Sequence, residues 1–347
     1  MSKLIVREAN PPNLETPFET VDSFITPTEL FYIRCHFPVP QIASANWRLE
    51  ISGDVENPCA FTLEELRALP ARETYATLEC AGNNRSFLEK KVSGVQWSQG
   101  AVSNAQWRGV RLADVLARAR PRADAIEAIF EGADGGVVEK PGAPSGEIAF
   151  SRSLPLSHSN VLLAYEMNGE PLNAAHGFPL RAIVPGWYAM ASIKWLRRII
   201  VTSTPFDGYY QTLDYGFWER VNGLPTLRPL REMQVKAQIA SPVNGERVTA
   251  DTMVHVRGAA WGGQIARVEV SDDGGEHWHE AKFRAETAPH AWRLWDYEWR
   301  VPKQPGRCVL MARAIDADDK TQPQAHDPDR GSYMINQLLP AEIEIVG

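Results

Sequence analysis

The first residue able to do chemistry is a cysteine at the end of an extended run. Cys80 lies in Leu78-Glu79-Cys80-Ala81-Gly82-Asn83-Asn84-Arg85, after the stretch Glu73 to Thr77. Small and amide residues behind it can take the backbone angles of a tight turn. Arg85, five residues on, favours the thiolate, the form that binds a metal or attacks an electrophile. Taken alone, a structural cysteine entering a loop is the better reading, since free cysteine is among the most buried residue types. Arg34 and His36 stand two apart in Phe31-Tyr32-Ile33-Arg34-Cys35-His36-Phe37-Pro38-Val39-Pro40. The prolines hold that segment extended, so both cations face one side. They suit an anionic ligand; a surface arginine beside a packed histidine is the alternative. Asp134, in Glu131-Gly132-Ala133-Asp134-Gly135-Gly136, could accept hydrogen bonds from a ligand or simply make a turn.

The elements that must position these residues can be read from pattern. Residues 1–30 are polar and Pro-rich and are expected to form an arm with little regular structure. Thr62-Leu63-Glu64-Glu65 is a capping box that opens a short helix, ended by Pro70. Arg111 to Ala119 is amphipathic and also predicts a helix. Trp47 to Ser52, Ala125 to Phe130, Val161 to Tyr165, Ala182 to Val184 and Leu196 to Val201 read as strands. From Val235 the texture changes. Val235 to Ala240, Thr252 to Trp261, Ala266 to Val270, Trp278 to Phe283, Trp292 to Val301, Arg307 to Ile315 and Ala341 to Val346 are short strands between Gly, Asn and Asp turns. That spacing predicts an immunoglobulin-like β-sandwich. The fold expected is therefore α+β. A mixed α/β domain over 31–230 follows the arm 1–30, and an all-β sandwich covers 231–347, with the boundary in the Pro-containing stretch 223–232.

Composition narrows the function classes. The 347 residues carry a formal net charge of -7 and 44% hydrophobic residues, which is ordinary for a globular protein and argues against a general nucleic-acid role. No apolar run approaches a membrane span, and the start has no signal-peptide core, so the chain is expected to be cytoplasmic; a removed leader would leave the same sequence. Cys35, Cys59, Cys80 and Cys308 form no Cys-x-x-Cys pair and no disulfide scaffold. No Cys-x-x-Cys-His is present either, so no haem is expected in this chain.

In combination the motifs resemble the sulfite oxidase family of molybdenum enzymes. The resemblance rests on Arg34-x-His36-x-Pro38-Val39-Pro40, Cys80-Ala81-Gly82-Asn83-Asn84-Arg85, Phe130-Glu131-Gly132-x-Asp134, Leu163-Ala164-Tyr165-Glu166-Met167-Asn168-Gly169, His176-Gly177-Phe178-Pro179-Leu180-Arg181 and Lys194-Trp195, which occur in the family's order. Gly258-Ala259-Ala260-Trp261, Val268 to Gly275 and Ala291 to Trp295 are similar to its C-terminal dimerisation domain. The resemblance covers about residues 30–345. It implies that Cys80 ligates molybdenum beside the dithiolene of a molybdopterin (Mo-co). It implies that Tyr32, Arg34, Cys35, His36, Asp134, His176, Arg181, Ser192, Ile193 and Lys194 surround the pterin and its phosphate. Arginine and lysine suit a buried phosphate, and an aspartate suits pterin N–H donors. Cys35 departs from the pattern, since relatives usually carry asparagine there.

The same resemblance puts Arg34, Arg85, Arg293, Tyr215 and Trp97 around the substrate, with Tyr209 and Tyr210 as competitors for the tyrosine's place. For Arg293, stacking on Trp292 or Trp295 is an equal alternative. Three arginines at one small site would select a small oxyanion. The expected reaction is oxidation of sulfite to sulfate, in a homodimer, with electrons leaving to an external acceptor such as cytochrome c or oxygen. Other readings stay open: another oxyanion or sulfur compound, such as thiosulfate, a sulfane sulfur or nitrate; a non-enzymatic binding protein; or a hydrolase using Cys80 as nucleophile with His176 or His36 as base.

Overall fold

The computed structural model describes residues 3–158 and 160–347. It is mostly β. Among the described residues only two α-helices occur, Leu63–Arg67 and Leu112–Ala119, both where the sequence predicts them. The capping box closes as expected: Glu65 N–H donates to Thr62 Oγ1 at 3.0 Å, and Thr62 N–H donates to a Glu65 carboxylate oxygen at 2.8 Å. The second helix buries Leu112, Val115, Leu116 and Ala119 on one stripe.

Two sheets build the N-terminal region. One runs in the order Glu170–Pro171, Leu162–Met167, Val102–Arg111, Ala71–Glu79, with Arg181–Ile183 also pairing to Leu162–Met167. The other runs Cys59–Phe61, Leu49–Gly53, Leu196–Thr202, Glu127–Val137, Glu147–Pro155. Only the contact of Leu49–Gly53 with Leu196–Thr202 is parallel in these two sheets. Cys80 leaves the first sheet at an edge strand; Asp134 lies on a strand of the second, at a register shift between Glu131 and Gly135.

The N-terminal arm is more regular than its composition predicts. Ile5–Glu8 pairs with Asn13–Glu15, which pairs with Ile33–Arg34. Side-chain bonds hold it. The buried Glu15 carboxylate accepts from Arg7, from Ser98 Oγ at 2.7 Å and from Gly100 N–H at 2.6 Å, and Asn13 Oδ1 accepts the Cys35 N–H at 2.9 Å. The stretch 223–232 likewise carries a strand, Leu224–Pro229, paired antiparallel with Gly216–Val221.

The C-terminal region packs a pair of sheets around one apolar core. Lys236–Ser241, Met253–Trp261, Arg293–Arg300 and Lys282–Phe283 form one; Arg247–Thr249, Ala341–Val346, Gly306–Asp316, Ile265–Ser271 and His279–Glu280 form the other. Val256, Ala260, Trp295 and Trp299 from the first meet Val268, Val270, Leu310 and Ile343 from the second. Each predicted strand of this region is present within two residues, except that Trp278 to Phe283 divides into His279–Glu280 and Lys282–Phe283.

Candidate functional site

One cavity gathers Tyr32, Arg34, His36, Cys80, Asp134, His176, Arg181, Ser192, Ile193, Lys194 and Tyr215, from six separate stretches of the sequence. Phe150 and Met190 complete its apolar wall. Cys80 is held by its backbone: its N–H donates to Ala101 O at 2.9 Å and its carbonyl accepts from Asn83 N–H at 2.8 Å. The thiol is thereby fixed at the cavity edge within a cluster that includes Leu78, Trp97 and Trp107.

The cavity is cationic without being neutralised. Arg34 donates to Cys35 O, and Arg181 donates to His176 O at 3.0 Å and Ser192 O at 3.1 Å. Lys194 donates to Ala175 O at 2.9 Å and to Cys35 Sγ at 3.3 Å. Their hydrogen-bond partners are carbonyls, a side-chain amide and a sulfur, and Arg181 and Lys194 also lie over the Trp107 and Trp195 rings; no carboxylate among the described residues forms an ion pair with any of the three. The Arg181 Nε is buried with no partner. Buried charge without a counterion is costly, so this set is built for an anion that comes from outside the chain. Burial brings the Arg181 guanidinium down to about 10 and lowers Lys194 as well, though the Cys35 sulfur beside that amine works the other way.

The titratable groups divide by the same physics. Burial lifts Asp134 from its ordinary value to about 6, against the pull of Lys194. Burial, with Lys194 and Arg181 nearby, pushes His176 down to about 3. Burial and the Arg34 charge push His36 well below its usual range, so its ring is neutral at pH 7. His36 Nε2 lies 2.6 Å from Tyr215 Oη, and the ring stacks on Phe150 with centroids 4.1 Å apart. Burial raises the Tyr215 and Tyr32 phenols, which stay protonated. Tyr210 packs edge-on to His36 without lining the cavity, and Tyr209 packs edge-on to Tyr210, so among the three tyrosines Tyr215 faces the site.

Four expected residues lie elsewhere. Cys35 is fully buried and does not line the cavity; its sulfur accepts from Lys194. Arg85 is buried beneath the Cys80 turn, not aimed into the cavity: Nη1 donates to Val95 O at 2.8 Å, and Nε and Nη2 donate to Ser332 O at 3.2 and 3.1 Å. Trp97 is fully buried in the apolar cluster behind Cys80. Arg293 requires a correction. It starts the strand Arg293–Arg300, lies over the Phe283 ring at 4.0 Å, and lines a different cleft with Trp187, Trp261 and His290. An aromatic partner was the right kind of neighbour, but it is Phe283 across the strand pair and not Trp292 or Trp295. Tyr333 is a neighbour of the site that no sequence motif marks. The C-terminal region approaches the site through Ser332–Met334, where Met334 N–H donates to Ala81 O at 2.9 Å and the Tyr333 ring lies 5.3 Å from Arg85 and 5.1 Å from the Tyr215 ring. No hydrophobic period marks that loop, so pattern could not have found it.

Comparison with known proteins gives a consistent picture. The oxidoreductase molybdopterin binding domain family matches residues 36–210, and the Mo-co oxidoreductase dimerisation domain family matches residues 228–336. The chain is 36% identical to the mitochondrial sulfite oxidase of Rattus norvegicus, over 94% of this chain and 62% of that protein. It is 37% identical to the sulfite oxidase of Gallus gallus, over 94% of this chain and 74% of that one. Nitrate reductase [NADH] 2 of Phaseolus vulgaris is 33% identical over 91% of this chain and 39% of its own length. The solved structure of the sulfane dehydrogenase SoxCD from Paracoccus pantotrophus superposes with a TM-score of 0.82 at 28% identity, covering 96% of this chain and 84% of that one. The chain spans about three fifths of the length of the mitochondrial relatives.

Proposed function

The chain belongs to the sulfite oxidase family of molybdopterin-dependent oxidoreductases, and on that premise we propose that it oxidises sulfite to sulfate. The observation that carries the proposal is the pairing of one fixed thiol, Cys80, with buried cations that lack counterions. A molybdenum–pterin group fits both: a soft thiolate suits the metal, and Arg181 and Lys194 suit a phosphate. When bound, that group supplies oxygen-atom transfer and accepts the two electrons released as sulfite and water become sulfate and two protons.

The chain's own residues do the rest. Cys80 ligates the metal. Arg181, Lys194, His176 and the Ser192–Ile193 backbone hold the pterin's anionic end. Asp134 accepts from its ring system, on which Tyr32 packs, and Cys35, off the cavity wall, positions Lys194 through its sulfur. Arg34 attracts the substrate anion, and Tyr215, its hydroxyl oriented by neutral His36, hydrogen-bonds the reacting oxygen and passes a proton. Arg85 acts from beneath, fixing the Cys80 turn. The C-terminal region is an immunoglobulin-like sandwich that pairs two copies, and electrons leave to a separate acceptor such as a cytochrome or oxygen.

The test is a Cys80→Ser variant expressed with cofactor loading. Turnover and molybdenum content should both collapse; full turnover would remove Cys80 from the metal. The likeness to a sulfane dehydrogenase supports a second reading on the same site, a sulfane-type sulfur substrate. Steady-state rates with sulfite, thiosulfate and nitrate separate the readings, with sulfite expected to give the highest kcat/KM.

A further inference from the structure

Behind the Cys80 turn lies a buried ion pair that the proposed reaction does not use. Lys236 Nζ donates to Glu79 Oε1 at 2.5 Å, and both side chains are essentially inaccessible to water. Glu79 immediately precedes Cys80; Lys236 begins the strand Lys236–Ser241 in the C-terminal region. The Glu79 carboxylate has two more donors: Asn83 Nδ2 at 3.1 Å and Trp261 Nε1 at 2.9 Å. Asn83 in turn makes the backbone bond to Cys80 O and accepts the Ala101 N–H on its side-chain oxygen at 3.0 Å.

Two residues along the same strand, Gln238 Nε2 donates to Asn84 Oδ1 at 2.7 Å. Asn84 is the residue of the turn in the left-handed region, at φ 74°. Alternate residues of a strand share a face. Lys236 and Gln238 therefore point at the turn, while Ala237 and Ile239 enter the sandwich core. One strand of the C-terminal region thus grips the turn at both ends, at Glu79 before the cysteine and at Asn84 after it.

We propose that Lys236 and Gln238 are positioning residues for the Cys80 thiol, so that the C-terminal region shapes the metal-binding turn in addition to any role in pairing copies. The inference rests on the reading of Cys80 as metal ligand. The physical reason is the cost of the alternatives. A turn with a left-handed asparagine persists only when its surroundings fix it. Without Lys236 the buried Glu79 carboxylate would keep only two neutral donors, Asn83 and Trp261, and no counterion. Cutting either grip frees the turn without touching the cavity wall.

The experiment reads the thiol directly, in cofactor-free full-length protein, by the rate of alkylation with iodoacetamide mapped peptide by peptide. Cys59 and Cys308, which no hydrogen bond joins to the turn, serve as internal references. The variants are Lys236→Met, Gln238→Ala and the conservative pair Glu79→Gln with Lys236→Gln, which keeps a neutral hydrogen bond. Alkylation of Cys80 relative to Cys308 should rise about tenfold in each of the first two, as expected for loss of a buried hydrogen bond. In the conservative pair it should return to within about twofold of the parent. Parallel acceleration of all cysteines, or an unchanged Cys80 rate, overturns the proposal. If Lys236→Met does not fold, Gln238→Ala, which leaves no charge unpaired, decides alone. The ligand reading fails separately, if molybdenum content survives Cys80→Ser.

Discussion

Asp134 carries a built-in cost, which a hydrogen-bond donor on the proposed pterin would relieve. Its carboxyl, lifted to about 6 by burial, binds protons more readily in the folded chain than in the unfolded one. The folded state is therefore favoured below the ordinary carboxyl range, loses stability as pH rises towards 6, and stays penalised above it. The penalty is at most about 3 kcal/mol, from roughly two pKa units at 1.36 kcal/mol each. Cofactor-free Asp134→Asn should thus melt higher than the parent at pH 7.5, with the gap closing by about pH 4; an equal gap at both pH values would contradict the assignment. The same variant should retain less pterin, a stability gain set against function. Tyr215→Phe is the complementary case. It removes the 2.6 Å bond to His36 and leaves the cavity shape unchanged. Loss of about 1–3 kcal/mol corresponds to a roughly 5- to 150-fold fall in kcat/KM for sulfite with molybdenum content unchanged.

At the scale of elements, the Cys80 turn and the first helix make a contrast. A Cβ on Gly82 would overlap the Arg85 guanidinium at both Nη2 and Cζ. Gly82→Ala must then drive the buried guanidinium off Val95 and Ser332, costing about 2–4 kcal/mol and lowering turnover together with the melting temperature. Thr62→Ala breaks only a capping box on an exposed helix start. It should cost about 1 kcal/mol and leave kcat and KM alone, which thermal melts and steady-state rates will check. What the sequence disclosed follows the same division. The capping box, the amphipathic helix and the alternating strands after Val235 are local patterns and were legible. The arm strands Ile5–Glu8 and Asn13–Glu15 were not, because distant hydrogen bonds to Glu15 and Asn13 hold them, not periodicity. Most of the cavity wall was legible through family-like motifs. Arg293 was misplaced because its own strand carries it to Phe283, and Tyr333 was missed because its loop has no pattern of its own.

Across the whole molecule, the N-terminal and C-terminal regions are joined where the chemistry is proposed to occur. Glu79, Asn84, Ala81 and Arg85 on one side meet Lys236, Gln238, Met334 and Ser332 on the other. Sedimentation should find two copies per particle, and the proposed pairing through the sandwich would fail if the protein ran as a single chain across micromolar concentrations. The central claim is that the cavity around Cys80 holds a molybdenum–pterin group. Its most direct test is the molybdenum and pterin content of the full chain purified from cells that make that cofactor. Close to one molybdenum and one pterin per chain is expected; protein that is folded but contains neither would contradict that claim.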